Sequence, residues 1–213
     1  MPGIYFYKLT TDNGGAPCVE GGLLSLAICK PMIRSRAKEG DLILGFAASS
    51  LDRANRLLFA ARVTDTLLNG VYYKNSRYAQ RGDCIYRLSA DRFVRRKDAQ
   101  YHARSEDLTH DLGAYPDYLR ATVLLSKDFR YFGRAGSNEY KCKFLRVKDA
   151  VERLGRGHRI HQDGALHKEL LDMAEWVWRS ARHKVVGSPT SAPSRYSCHR
   201  GQSCGVVIKD RSS

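Results

Sequence analysis

Apolar positions along the chain fall in short runs separated by turn residues, and the runs are richer in β-branched and aromatic residues than in helix formers. Residues 3–10, GIYFYKLT, alternate in part and predict a strand. Asp12-Asn13-Gly14-Gly15 is a turn cluster, and Pro17 keeps the loop out of a helix. Leu23–Cys29 reads as a second, more buried strand. Pro31–Lys38 reads as a short helix with its proline in the first turn, ended by Gly40. Gly40-Asp41 opens a third strand, DLILGFAA, and a polar hairpin leads to a fourth over Leu57–Thr66. The order Gly-Asp-strand-turn-strand recurs loosely at Gly82-Asp83-Cys84-Ile85-Tyr86, a unit found in small nucleic-acid-binding barrels.

The second half is less regular. Residues 67–80 mix tyrosines with cations. Residues 87–118 are charged and aperiodic and predict a long exposed loop. Arg120–Leu125 reads as a buried strand, 126–133 as a turn carrying an acid and aromatics, and Tyr140–Val147 as one more short strand. In Leu166–Lys184 the residues Leu166, Leu170, Met173, Ala174 and Val177 recur at helical spacing, with Trp176 and Trp178 widening the face. Such a stripe is more often core packing than a binding surface. Gly187 and Pro189 stop this helix, and the Ser-, Pro-, Gly- and Arg-rich remainder predicts disorder. The expected architecture is α+β: a small mixed or antiparallel barrel-like core with flanking helices and a C-terminal amphipathic helix. A single domain is expected over 1–189, with a basic tail over 190–213.

Charge changes the picture. The 36 lysines and arginines outnumber 22 aspartates and glutamates, for a net charge of +14. That excess points to a polyanionic partner, most often nucleic acid. No apolar run approaches the ~20 residues that span a bilayer. The N-terminus MPGIYFYK lacks a secretory signature, so the six scattered cysteines predict reduced thiols in a cytoplasmic protein, with no oligomer beyond the monomer expected.

Several chemistries lack their motifs. There is no phosphate-cradling G-x-x-x-x-G-K-[ST] loop, no G-x-G-x-x-G between a strand and a helix, and no alternating βα pattern for a methyltransferase. H-E-x-x-H and paired C-x-x-C are absent, and Cys198, His199 and Cys204 fall one ligand short of a zinc site. No cofactor and no metal are therefore expected. What remains needs side chains and water: Asp12 and Asp128 as carboxylates near glycines, and Lys30 at a strand end as nucleophile or phosphate holder. Taken singly, Asp12 caps a turn and Lys30 is surface. Aromatics and cations interleave around them at Tyr5, Tyr7, Arg34, Arg36, Tyr72, Arg77 and Tyr131, the pattern of base stacking flanked by phosphate contacts.

The same segments resemble the second type of nucleotide-modification-associated domain, known from phages and bacteria. The resemblance rests on Tyr5-x-Tyr7-Lys8-Leu9-Thr10, Asp12-x-Gly14, Leu24–Lys30, Pro31-x-Ile33-Arg34, Gly40-Asp41 and Gly45-Phe46. It continues through Gly82-Asp83, Ser126-x-Asp128-Phe129-x-Tyr131-Phe132-Gly133, Arg156-Gly157-His158-Arg159, Trp176 and Gly187-x-Pro189, so that it covers roughly residues 4–189. It implies an association with modified DNA bases and adds His158 and Arg159 to the candidates without assigning roles. Because no donor site is legible, the leading expectation is a cofactor-independent DNA glycosylase. It would flip out and hydrolytically excise a modified base, in anti-phage defence, with His158 protonating the departing base. A non-catalytic reader of modified bases and a transferase with an unrecognised donor site remain alternatives.

Overall fold

The computed structural model describes residues 2–155, 157–160 and 162–191. Two open sheets stack face to face. The first has five strands. In sheet order these are β10 (Asp128–Tyr131), β5 (Leu57–Arg62), β4 (Leu42–Ala47), β1 (Ile4–Leu9) and β11 (His158–Arg159). The second has four: β2 (Cys18–Glu20), β3 (Leu23–Leu26), β9 (Val123–Ser126) and β6 (Asp65–Leu67). β1 runs parallel to β4; every other pairing in these two sheets is antiparallel.

Alternation along the strands builds the layers. Ile4, Phe6, Leu42, Leu44 and Phe46 face a helical layer of α4 (Tyr140–Lys143), α5 (Leu145–Arg153) and α6 (Gly164–Ser180). Tyr5, Tyr7, Leu9, Ile43 and Ala47 point the other way, and meet Leu24, Leu26 and Leu124 of the second sheet. A third core lies beyond that sheet. There Tyr72, Tyr73, Tyr86 and Phe93 pack under α2 (Val71–Lys74), α3 (Ser105–Leu112) and the hairpin β7 (Tyr86–Ser89) with β8 (Arg92–Arg95).

The barrel expectation is corrected: neither sheet closes. The chain does cross between the sheets twice at one place, from β5 to β6 and from β9 to β10. The crossings are tied by Thr64 N–H to the Leu125 carbonyl (2.8 Å) and Lys127 N–H to Thr64 Oγ1 (3.0 Å). This makes a bent ladder joining two open sheets, and the three cores on their faces leave no lumen to close around. The two Gly-Asp repeats are turn locks. Asp41 accepts from the N–H groups of Gly3 and Lys38 (2.7 and 2.8 Å), and Asp83 accepts from Ser25 Oγ and Tyr72 Oη (2.5 and 2.6 Å).

Local expectations also shift. The loop at 87–118 holds β8 and α3, and the turn at 126–133 holds β10, whose Phe129 and Tyr131 are buried while Asp128 and Arg130 are not. Tyr140–Val147 is helical because Tyr140, Phe144, Val147 and Val151 repeat every three or four residues, a period that emerges only when the window extends to 151. Past α6 the chain runs beside β10, with Tyr131 N–H on the Lys184 carbonyl and Val186 N–H on the Tyr131 carbonyl, both at 2.8 Å. Among the described residues no helix is long and apolar enough to cross a membrane.

Gly45 shows how tightly the second core is packed. A Cβ there would lie 2.1 Å from Phe59 Cε1 and 2.8 Å from Leu9 Cδ1. Gly45→Ala should therefore lower stability by about 1–3 kcal/mol. The shift would be read from the urea midpoint, and an unchanged midpoint would contradict this packing.

Candidate active site

β3 runs out through Ala27 and Ile28 into Cys29 and Lys30, and Pro31 starts the four-residue helix α1 (Pro31–Arg34). Proline disfavours the right-handed helical region for the residue before it. Lys30 answers with φ 44°, and Cys29 with φ 60°, so two consecutive non-glycine residues hold left-handed geometry. Each such residue costs on the order of 1–3 kcal/mol unless its surroundings hold it. Here they do. Cys29 N–H donates to Asp111 Oδ1 (2.8 Å), and the Cys29 carbonyl accepts from Arg34 Nε (2.7 Å).

Arg34 is fully buried. Beyond Cys29 it donates to the carbonyls of Arg120 (2.8 Å), Thr122 and Asp111 (2.7 Å), and its Nη2 lies 4.0 Å from Asp111 Oδ1. One guanidinium thus binds the Cys29 turn to the end of α3 and the approach to β9. The expectation that Arg34 contacts nucleic acid is corrected, because its donors are committed to buried carbonyls.

What this framework positions is a chain of three side chains. Cys29 Sγ lies 3.2 Å from His102 Nε2, and His102 Nδ1 lies 2.6 Å from Asp111 Oδ2. His102 also has positive φ, 51°. Asp111 further accepts from Tyr86 Oη at 2.8 Å. Burial alone would raise the Asp111 carboxyl. The His102 imidazole, the Arg34 guanidinium and the Cys29 N–H together hold it below the usual carboxylate range. An ionised Asp111 only accepts, so His102 Nδ1 carries a hydrogen and Nε2 is the ring nitrogen that faces the sulfur. That is the arrangement of a nucleophile, a base and the group that orients the base.

Other cysteines contrast with it. Cys18 and Cys84 are free thiols pushed up by burial, Cys84 to about 11. Cys29 is disulfide-bonded in this structure, which departs from the expectation of uniformly reduced thiols. Nucleophilic chemistry at Cys29 therefore belongs to the reduced protein. Among the described residues no group of three or more His, Cys, Asp or Glu could hold a metal ion. Cys198, His199 and Cys204 lie outside the described residues.

The remaining sequence candidates divide into a cluster and a scatter. Across the β1–β11 pair Tyr7 faces His158, and Lys30 Nζ sits 4.7 Å from the centre of the Tyr7 ring. His158 is buried, and its Nε2 has no hydrogen-bond partner among the described residues. Burial, then the charges of Lys30 and Arg36, depress its imidazole to about 4. At neutral pH it is uncharged, without the imidazolium proton that a general acid would hand to a departing base. Arg36 is exposed and reaches Tyr5 electrostatically as well. Arg159 faces Phe6, on the opposite side of the strand pair from His158.

Asp12 and Asp128 do not meet. Asp12 is buried and takes Tyr131 Oη–H at 2.7 Å, Thr190 N–H at 3.0 Å and Thr190 Oγ1–H at 2.9 Å, while its own carbonyl accepts Ser191 N–H at 2.7 Å. It anchors the segment after α6. Asp128 points to the other face of β10, where it accepts from Trp178 Nε1 (2.5 Å) and Arg62 Nε (3.2 Å). Tyr131 is bound to Asp12, and Tyr72 is buried on Asp83, so neither presents a ring face for stacking. Arg77 is exposed beside Tyr78. A cleft of about 800 Å³ lies between Gly14, Arg81, Arg96, Tyr101 and Pro189, with Tyr101 adjoining His102 in the chain but Cys29 not among its lining.

The family model described as nucleotide modification associated domain 2 matches residues 1–196. The chain belongs to that family. The family's association is with nucleotide modification, which agrees with a role connected to modified bases and is compatible with a nucleic-acid partner. Comparison with curated proteins and with solved structures finds no match. Sequence reasoning on this domain passed over Cys29, His102 and Asp111. The available signal was a cysteine ending a strand directly before Lys-Pro, with a histidine and an acid inside a segment taken for surface loop.

His158 makes the domain's stability depend on pH. Its imidazole binds protons more weakly folded than unfolded, so its contribution is complete above about pH 6.5 and is lost as pH falls toward about 4. The interval between 6.5 and about 4 corresponds to about 3 kcal/mol. Urea titrations at pH 7 and pH 4 should differ by roughly that much from this group, and His158→Asn should shrink the difference.

Proposed function

We propose that this domain is a thiol-dependent enzyme acting on modified nucleotides or nucleobases, with Cys29 as nucleophile, His102 as base and Asp111 as the residue that orients His102. The observation that carries the reading is the chain Cys29–His102–Asp111 at 3.2 and 2.6 Å, held on a turn of strained backbone. Its natural reaction is acyl transfer at a carbonyl on the modified base. His102 takes the thiol proton and the sulfur forms a bond to the carbonyl carbon. The bond from that carbon to the leaving amine breaks as His102 returns the proton to the nitrogen. Water, deprotonated by His102, then displaces the sulfur, releasing a carboxylic acid and restoring the thiol. A dithiol reductant first frees Cys29 from its disulfide; the cycle itself needs no oxidant and no cofactor.

Base excision by a DNA glycosylase draws less support from the same geometry. It calls for a carboxylate facing the sugar. Asp12 is buried under Thr190 and Tyr131, and Asp128 is bound by Trp178 and Arg62 on the opposite face.

The test incubates the reduced protein, without cofactor, with DNA bearing amide- or ester-substituted bases. Released acids and bases are identified by mass spectrometry, and hydroxylamine traps any thioester. Release of the acid with the glycosidic bond intact is expected. Cys29→Ala should abolish it, and His102→Ala should slow it about 10²–10⁴-fold. Full activity in Cys29→Ala, or free modified base leaving an abasic site, would overturn the thiol reading.

A further inference from the structure

Immediately beyond the nucleophile the chain places four groups that the acyl-transfer chemistry does not use. Lys30 follows Cys29, and its ammonium lies 4.7 Å from the centre of the Tyr7 ring. Tyr7 stands opposite His158 across the antiparallel pair of β1 and β11. Arg36, two residues past α1, is exposed and acts electrostatically on both His158 and Tyr5. The group is therefore continuous with Cys29 and graded in character. Arg36 is exposed and Lys30 half-buried, and the Tyr7 ring and the His158 imidazole are buried.

The buried end decides the ligand class. His158 is 1% exposed, and its Nε2 has no hydrogen-bond partner among the described residues. The great majority of buried polar atoms in proteins are paired, and one that is not calls for an explanation such as a catalytic role or a bound small molecule or ion. The group is uncharged at neutral pH, so it suits a neutral polar edge rather than a phosphate or carboxylate. The cations supply what an anion needs. A molecule that offers a neutral, flat, hydrogen-bonding edge at one end and an anion at the other is a nucleoside phosphate.

We infer that Lys30, Arg36, Tyr7 and His158 form the subsite that holds one nucleoside-phosphate unit beside Cys29, with Lys30 and Arg36 on the phosphate and His158 Nε2 on the polar edge of the base. This rests on the thiol reading for the place of the reaction but not for binding. It makes His158 a specificity-determining residue. The same unit can be a free nucleotide or one residue of a strand.

The experiment follows alkylation of Cys29 by iodoacetamide in the reduced full chain, quantified by peptide mass spectrometry. The probes are nucleoside 5′-monophosphates, the matching nucleosides, inorganic phosphate and a single-stranded oligonucleotide. The monophosphate or the oligonucleotide should slow labelling at least tenfold. Protection by the oligonucleotide alone identifies a strand as the ligand, and by both a nucleotide unit from either source. Arg36→Ala should weaken protection by nucleotides while leaving that by nucleosides. His158→Ala should reduce nucleotide protection to the level of inorganic phosphate, and His158→Gln, which keeps a hydrogen-bonding group, should restore part of it. Equal labelling with every probe, or protection unchanged in both Arg36→Ala and His158→Ala, would overturn the subsite. If Cys29 is not alkylated even without probe, the nucleophile reading fails. Calorimetric titration of the monophosphate into wild type and His158→Gln then decides the subsite alone: tighter binding by wild type supports it, and no binding overturns it.

Discussion

The buried pair of Arg34 and Asp111 is the interaction on which the rest of the site depends. Two ions taken out of water are tolerated only when their remaining donors and acceptors are satisfied. Arg34 meets this with four backbone carbonyls, and Asp111 with His102, Tyr86 and the Cys29 N–H. The pairing also fixes geometry. Its partners come from the α1 turn and, more than 70 residues further along the chain, from the end of α3 and the segment entering β9. Loss of either ion would leave the other buried and uncompensated, at about 3–5 kcal/mol. The same loss would release the strained Cys29–Lys30 backbone, so the stability of this corner and the aim of the nucleophile are one property.

The layered sheets explain why the corner can be so constrained. Alternating side chains of β1 and β4 fill one core against the helices and a second against the neighbouring sheet. The third core, rich in tyrosine, covers the far side and delivers Tyr86 to Asp111 and Tyr72 to Asp83. Buried tyrosines serve here as amphipathic bricks. The ring supplies apolar area while the hydroxyl satisfies a carboxylate that burial would otherwise neutralise. For that reason many of the aromatics that look like a stacking surface along the chain are internal.

Asp12 and Asp128 illustrate the same economy outside the Arg34–Asp111 corner. Both are polar groups on or beside apolar strands, and each is matched by a specific partner: Asp12 by Tyr131 and Thr190, Asp128 by Trp178 and Arg62. Asp12 thereby seats the segment that follows α6 against β10. An acid close to glycines and aromatics in sequence is compatible with catalysis and with anchoring alike. What separates the two is whether its oxygens are already bonded.

The sequence by itself determined the family, the α+β class and the positions of β1, β3, β4 and β5, because short alternating apolar runs bounded by glycine and proline leave few alternatives. It also marked Tyr7 and Arg36 through the pattern of cations among aromatics, Lys30 as the base that ends an apolar run, and His158 through the family resemblance. It could not determine that Tyr140–Val151 is helical, since the repeat exceeds the window first read. Nor could it show that two open sheets, not a barrel, carry the strands. Above all it could not assemble Cys29, His102 and Asp111. Hydrogen-bonded contact between residues 73 and 9 positions apart in the chain is created only when α3 and β3 are brought to one buried ion pair. Periodicity reports which face of an element is apolar; which polar groups meet is decided by tertiary packing.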